Sequence, residues 1–142
     1  MDLAATTLVT VLLVIAAVLL HYETLLNASR SAERMTIPPR SRILVVIAAA
    51  FLAHLAEVAL FATAFAGMER AGLGALVGDV GDGPVVYFYF SLTTYTTLGV
   101  GDVAPVGAMR ILAAIEALTG LVLITWTASF TFIAMQRFWN DH

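Results

Sequence analysis

From Leu3 to Leu20 the chain runs 18 residues without a charge. As an α-helix rising about 1.5 Å per residue, that stretch is about 27 Å long and nearly matches a bilayer's hydrocarbon core. A cleaved signal peptide fits it less well, because Asp2 stands where a basic segment belongs and no small-residue cleavage site follows. Two further runs have the same character. Ile43 to Gly67 is interrupted only by His54 and Glu57, and the 26 residues between Arg110 and Arg137 carry Glu116 as their sole charge. Both lengths suit a tilted spanning helix. With 142 residues, 61% of them hydrophobic, 12% charged, and a mean hydropathy of +0.93, a soluble core could not absorb this surface. The expectation is one all-α membrane domain that sits in the lipid bilayer.

Charge sets the orientation. Four of the seven arginines, Arg30, Arg34, Arg40 and Arg42, fall between Glu23 and Arg42, and Arg137 follows the third run. The positive-inside rule puts that loop and the C-terminus in the cytoplasm and the N-terminus outside, in a cell membrane. Pro38–Pro39 marks the boundary before the second span. Met68 to Gly83 then reads as an outside loop. There Glu69, Asp79 and Asp82 outnumber Arg70, as solvated charges whose focusing of cations salt would screen. The absence of cysteine excludes disulfides, thiolate catalysis and Cys-based metal sites. His21, His54 and His142 look too scattered for a metal site. No basic stripe invites nucleic acid, no arginine-rich voltage-sensing helix is present, and no soluble regulatory domain or cofactor is expected.

Between the second and third runs, Pro84 to Thr97 holds Tyr87, Phe88, Tyr89, Phe90 and Tyr95. At about 12 to 14 residues it is too short to cross alone and reads as a re-entrant helix starting at Pro84. It leads into Thr96-Thr97-Leu98-Gly99-Val100-Gly101-Asp102. Non-helical backbone at membrane depth survives only inside protein or along a wet cavity. Two alternate glycines permit positive φ, so successive carbonyls can turn to one side. A ring of four such strands would present stacked oxygens that replace a cation's hydration shell. One chain supplies one strand, so the site implies a symmetric assembly, most simply a homotetramer.

These residues resemble the pore domain of the tetrameric potassium-channel superfamily. The resemblance covers Ile43 to about Gln136 and includes Thr97 to Gly101, Asp102, Pro105 and Gly120. The apolar and charged runs give an extra transmembrane helix at 3–22 and a cytoplasmic loop at 23–42, and the resemblance implies an outer helix at 43–67, a pore helix at 84–96, a filter at 97–102 and an inner helix at 107–137. It also implies monovalent cations, K+ foremost, on the backbone carbonyls of Thr97, Leu98, Gly99 and Val100, with Gly101 completing the filter and Asp102 at the outer mouth. Gly120 resembles the hinge of the family's inner helix. Where the family has a bracing tyrosine this chain has Val100; the partner aromatic is Phe90, and Thr93 stands where a glutamate often pairs with the filter aspartate. The tyrosine brace is therefore missing on both sides, which makes a non-selective cation channel the alternative.

Other polar and aromatic residues extend the reading. His54 and Glu57 share a helix face, and Glu116 lies at comparable depth; together they suggest an intramembrane polar network that ties outer to inner helix or senses protons. Ile124, Ala128, Phe132 and Gln136 recur at helical spacing as a pore lining, with Phe132 a candidate hydrophobic gate, while Trp126 reads as packing and Trp139 as an interfacial anchor. Two rivals come from other classes. Gly99-Val100-Gly101-Asp102 matches the pattern of intramembrane aspartyl proteases, but that chemistry needs a second aspartate beside Asp102. A non-conducting scaffold would have no obvious packing need for Thr97, Gly99, Gly101 and Asp102.

Overall fold

The computed structural model describes residues 2–79, 81 and 83–140, with side chains described for 4–79, 81 and 83–139. The elements run α1 (Asp2–Arg34), α2 (Pro39–Arg70), β1 (Gly74–Gly78), α3 (Val85–Tyr95), β2 (Val103–Gly107) and α4 (Met109–Asn140). The protein is mostly helical, and α1, α2 and α4 are each long and apolar enough to cross a membrane.

The first departure from the sequence reading is at 23–42, expected as a loop. Helix α1 continues to Arg34, and Pro39 already opens α2, so only four residues connect them. Residues 23–34 contain no glycine or proline to stop a helix. They also carry on a buried stripe: Thr6, Thr10, Ala17, His21, Leu25, Ala28 and Ala32 recur at intervals of three, four or seven residues. Small residues in that stripe let the helices approach closely. The short turn is closed by Arg42, whose guanidinium donates to the Ile37 and Met35 carbonyls at 3.3 and 3.0 Å. At this end of the bundle Ala32 and Ile43 pack with Val46, Ala134 and Phe138, and Arg137 pairs with Glu33 at 2.6 Å. The C-terminal ends of α1 and α4 therefore lie together, and α2 runs antiparallel to both.

The loop expected at 68–83 is partly a strand. β1 pairs antiparallel with β2, from Gly74 opposite Gly107 to Gly78 opposite Val103, a small ribbon on an otherwise helical fold. Gly74 and Gly78 have φ of +156° and +118°, and a Cβ there would strike the Val106 and Asp102 carbonyl oxygens. The outer helix extends beyond 43–67 at both ends, and the inner helix starts at Met109, since β2 holds Gly107. Asp82 lies outside the described residues.

Candidate functional site

Helix α3 descends along α2, and its contacts give the register. Near its start the Tyr87 hydroxyl donates to Glu69 at 3.0 Å. Phe90 meets Phe65 edge-on at 5.0 Å, Ser91 donates to the Val58 carbonyl at 2.8 Å, and Tyr95 reaches Glu57. From Tyr87 to Tyr95 the eight residue steps of α3 carry the chain inward by about 12 Å at about 1.5 Å per residue. The chain then returns. Gly99 N–H bonds to the Thr93 carbonyl at 3.0 Å, and the Asp102 carboxylate accepts from Tyr89 at 2.8 Å, so residues 97–102 climb back beside the helix they left. This is a re-entrant segment, entering and leaving by the ribbon end.

The climbing segment has a distinctive backbone. Thr97, Gly99 and Gly101 have φ of +59°, +55° and +87°, alternating with Leu98 and Val100 at ordinary φ. Among the described residues Thr97 is the only non-glycine with positive φ. For a β-branched residue that conformation is strained by about 1–3 kcal/mol, and it persists only where surroundings enforce it. One such constraint is the Thr97 N–H bonded to the Thr94 carbonyl at 2.9 Å. Leu98 and Val100 are 70% and 56% exposed in the single chain.

Phe90 is buried against Phe65, and the Thr93 hydroxyl donates to the Phe90 carbonyl at 3.0 Å. Sequence reasoning left Asp102 without a partner. Among the described residues its carboxylate has two, Tyr89 and the Val103 N–H at 2.9 Å. The missed signal was that Tyr89, next to Phe90, points its hydroxyl to the outer mouth. The bond to Asp102 pushes the Tyr89 phenol above the ordinary tyrosine range, because the carboxylate favours the protonated donor. The sign follows: this pair stabilises the fold fully below the ordinary tyrosine pKa, and the contribution is lost as pH rises through the raised value. Asp102→Asn returns Tyr89 to the ordinary range in a tyrosinate absorbance titration, while Tyr87, raised by Glu69, stays high.

The polar network is built differently from the expectation. His54 and Glu57 are joined by His21, whose Nδ1 lies 2.9 Å from Glu57 Oε1; His54 Nδ1 lies 3.2 Å from Glu57 Oε2 and 2.8 Å from the Tyr95 hydroxyl. Both Nε2 atoms meet Thr127 Oγ1, at 2.9 Å from His54 and 3.1 Å from His21. His21 and His54, 33 residues apart, are thus brought together by the α1–α2 pairing, contrary to the reading of scattered histidines. Trp126 packs on His21 with ring centroids 5.4 Å apart. Glu116 bonds separately, to Ser91, and among the described residues its Oε2 is the one buried side-chain polar atom without a partner. The signal for His21 and Thr127 was available: a polar side chain inside a span needs a partner, and so implies one.

Gly120 packs against the end of α3. A Cβ there would strike the Tyr95 carbonyl oxygen and stand 2.8 Å from its carbon and 2.9 Å from the ring. Helix α4 runs unbroken through this position. Ile124, Ala128, Phe132 and Gln136 are all exposed in the single chain, whereas Phe138 is buried and Phe130 is partly so.

A family model described as ion channel matches residues 42–137, more than half of the chain. No curated protein and no solved structure matches it.

Proposed function

The chain belongs to the two-transmembrane, pore-loop ion channel family, and on that premise we propose that four copies form a potassium-selective channel. The observation that carries this reading is the alternation of positive φ at Thr97, Gly99 and Gly101. In an extended strand successive carbonyls point to opposite sides; reversing the hand at every second residue brings them to one side. Four such strands around an axis offer stacked rings of oxygen to a dehydrated cation. The carbonyls of Thr97, Leu98, Gly99 and Val100 hold K+, with the Thr97 hydroxyl at the inner end.

Three further features support it. Leu98 and Val100 are exposed apolar side chains at the very segment that neighbouring subunits would cover. Tyr89 on Asp102 fastens the filter mouth to the pore helix, a brace at a different place from the family's tyrosine. The exposed face of α4 with Ile124, Ala128, Phe132 and Gln136 lines the inner pore, Phe132 being 60% exposed and placed to gate by dewetting. Gly120 serves as hinge if α4 bends. The arginines at the α1–α2 turn favour, by the positive-inside rule, a cytoplasmic side for that end and an outside N-terminus. Among the described residues Asp102 has a tyrosine and a backbone amide as side-chain partners, not the second carboxyl that protease chemistry requires.

The test is the reversal potential of the purified protein in a planar bilayer, with potassium on one side and sodium on the other. A value close to the potassium equilibrium potential is expected. A value near zero with clear current makes the pore non-selective and traces to the filter that Val100 leaves without its usual brace. No current under any stimulus favours the scaffold.

A further inference from the structure

We infer that His21, His54 and Glu57 form a binding site for one divalent transition-metal ion of the zinc class per chain. The ligand atoms of the three side chains lie within 4.8 Å of one another. Two of the separations are 2.9 and 3.2 Å, from the imidazole Nδ1 atoms to the two carboxylate oxygens. In a tetrahedral site with bonds of about 2.0–2.2 Å, neighbouring ligand atoms stand about 3.3–3.6 Å apart, so these donors already approach the edges of such a polyhedron. Two imidazoles and a carboxylate are a donor set that zinc and its neighbours favour over Mg2+ or Ca2+.

The hydroxyl of Thr127 fits the metal-bound state of the two rings. It faces both Nε2 atoms, at 2.9 and 3.1 Å. When both imidazoles are neutral and give their Nδ1 protons to Glu57, both Nε2 atoms are acceptors. Thr127 has one proton to give, so one Nε2 faces an oxygen lone pair with nothing between them. With a metal on both Nδ1 atoms, each neutral ring carries its proton at Nε2. The two N–H groups then match the two lone pairs of Thr127 Oγ1. This is the outer-shell support that metal-bound histidines characteristically have, fixing tautomer and ring orientation at once.

The remaining surroundings fit. The Tyr95 hydroxyl touches both His54 Nδ1 and Glu57, and so is placed either to orient the carboxylate or to take the fourth position. Trp126 shields His21. His21 and Glu57 are fully buried, and the 18% exposure of the His54 side chain provides the approach. The site joins α1, α2, the end of α3 and α4, two residues before Thr97.

The experiment uses the tag-free full chain in detergent and Co2+ as probe, with Zn2+ as competitor. Expected are a visible Co2+ absorption of the four-coordinate type that saturates at one ion per chain and is displaced by Zn2+. His54→Gln keeps a polar group at the partly exposed position and lowers affinity at least about 100-fold, while Thr127→Val lowers it about 10–100-fold through the outer shell alone. Helical circular dichroism and elution volume verify that each variant is folded. If the folded wild type gives no absorption at stoichiometric Co2+, or if folded His54→Gln binds as well as wild type, the inference is overturned and an additional proton completes the network instead. The readout needs no current, so it stands or falls separately from ion conduction.

Discussion

Alanine at Gly99 abolishes conduction while leaving the subunit folded. Gly99 has φ of +55° with open space around it, so the obstacle is the backbone and not a clash. An L-residue held in that conformation costs about 1–2 kcal/mol. In a four-fold filter the cost falls on every strand, about 4–8 kcal/mol in all, which favours a relaxed filter by three decades or more. The measurement is potassium flux into vesicles, with Gly67→Ala as control, since Gly67 is helical, at ordinary φ, with nothing within 4 Å of its added Cβ. Wild-type flux from Gly99→Ala would remove the basis for a carbonyl filter.

Gly120→Ala has the largest effect expected on the fold itself. The added methyl meets the Tyr95 carbonyl, backbone that cannot step aside as a side chain could. Overpacking of a well-filled contact costs about 1–3 kcal/mol, and with backbone as the obstacle the upper end applies. A clear fall in thermal midpoint is expected, together with weakened assembly, because the displaced end of α3 leads directly into Thr96 and Thr97. A hinge acting only in gating makes the opposite forecast: Gly120→Ala would then keep its stability and change only open probability. Comparing the midpoints of Gly120→Ala and Gly67→Ala separates the two.

What the sequence discloses here depends on range. The three spans are legible because a soluble core of this size could not absorb three apolar runs of bilayer length with so few charges, and the re-entrant segment because its aromatic half-length could not cross alone. The overhang of α1 was misjudged on polarity: Glu23 to Arg34 looked like a loop, although Leu25, Ala28 and Ala32 keep a buried helical stripe going. The ribbon escaped because short strands such as Gly74–Gly78 and Val103–Gly107 owe their pairing to each other, not to local propensity. At the candidate site, backbone freedom at Gly99 and Gly101 could be read locally. The strain at Thr97 could not, and neither could partners such as His21 and Thr127, 106 residues apart, which only helix packing reveals.

If α4 lines a pore as proposed, the contact between the far ends of α1 and α4 ties the first helix to any opening movement. The Arg137–Glu33 pair is exposed and by itself worth about 0–1 kcal/mol, but Ala32, Ile43, Val46, Ala134 and Phe138 lie buried together beside it. Any outward swing of the lower half of α4 must peel that cluster apart or carry α1 along. The last turns of α1 extend beyond the charge-free run that ends at Leu20, so they are anchored by α4 and not by apolar length alone. On the proposed reading, pore diameter and the tilt of α1 would form one mechanical coordinate, through which a change in the membrane would reach the α4 face that carries Phe132.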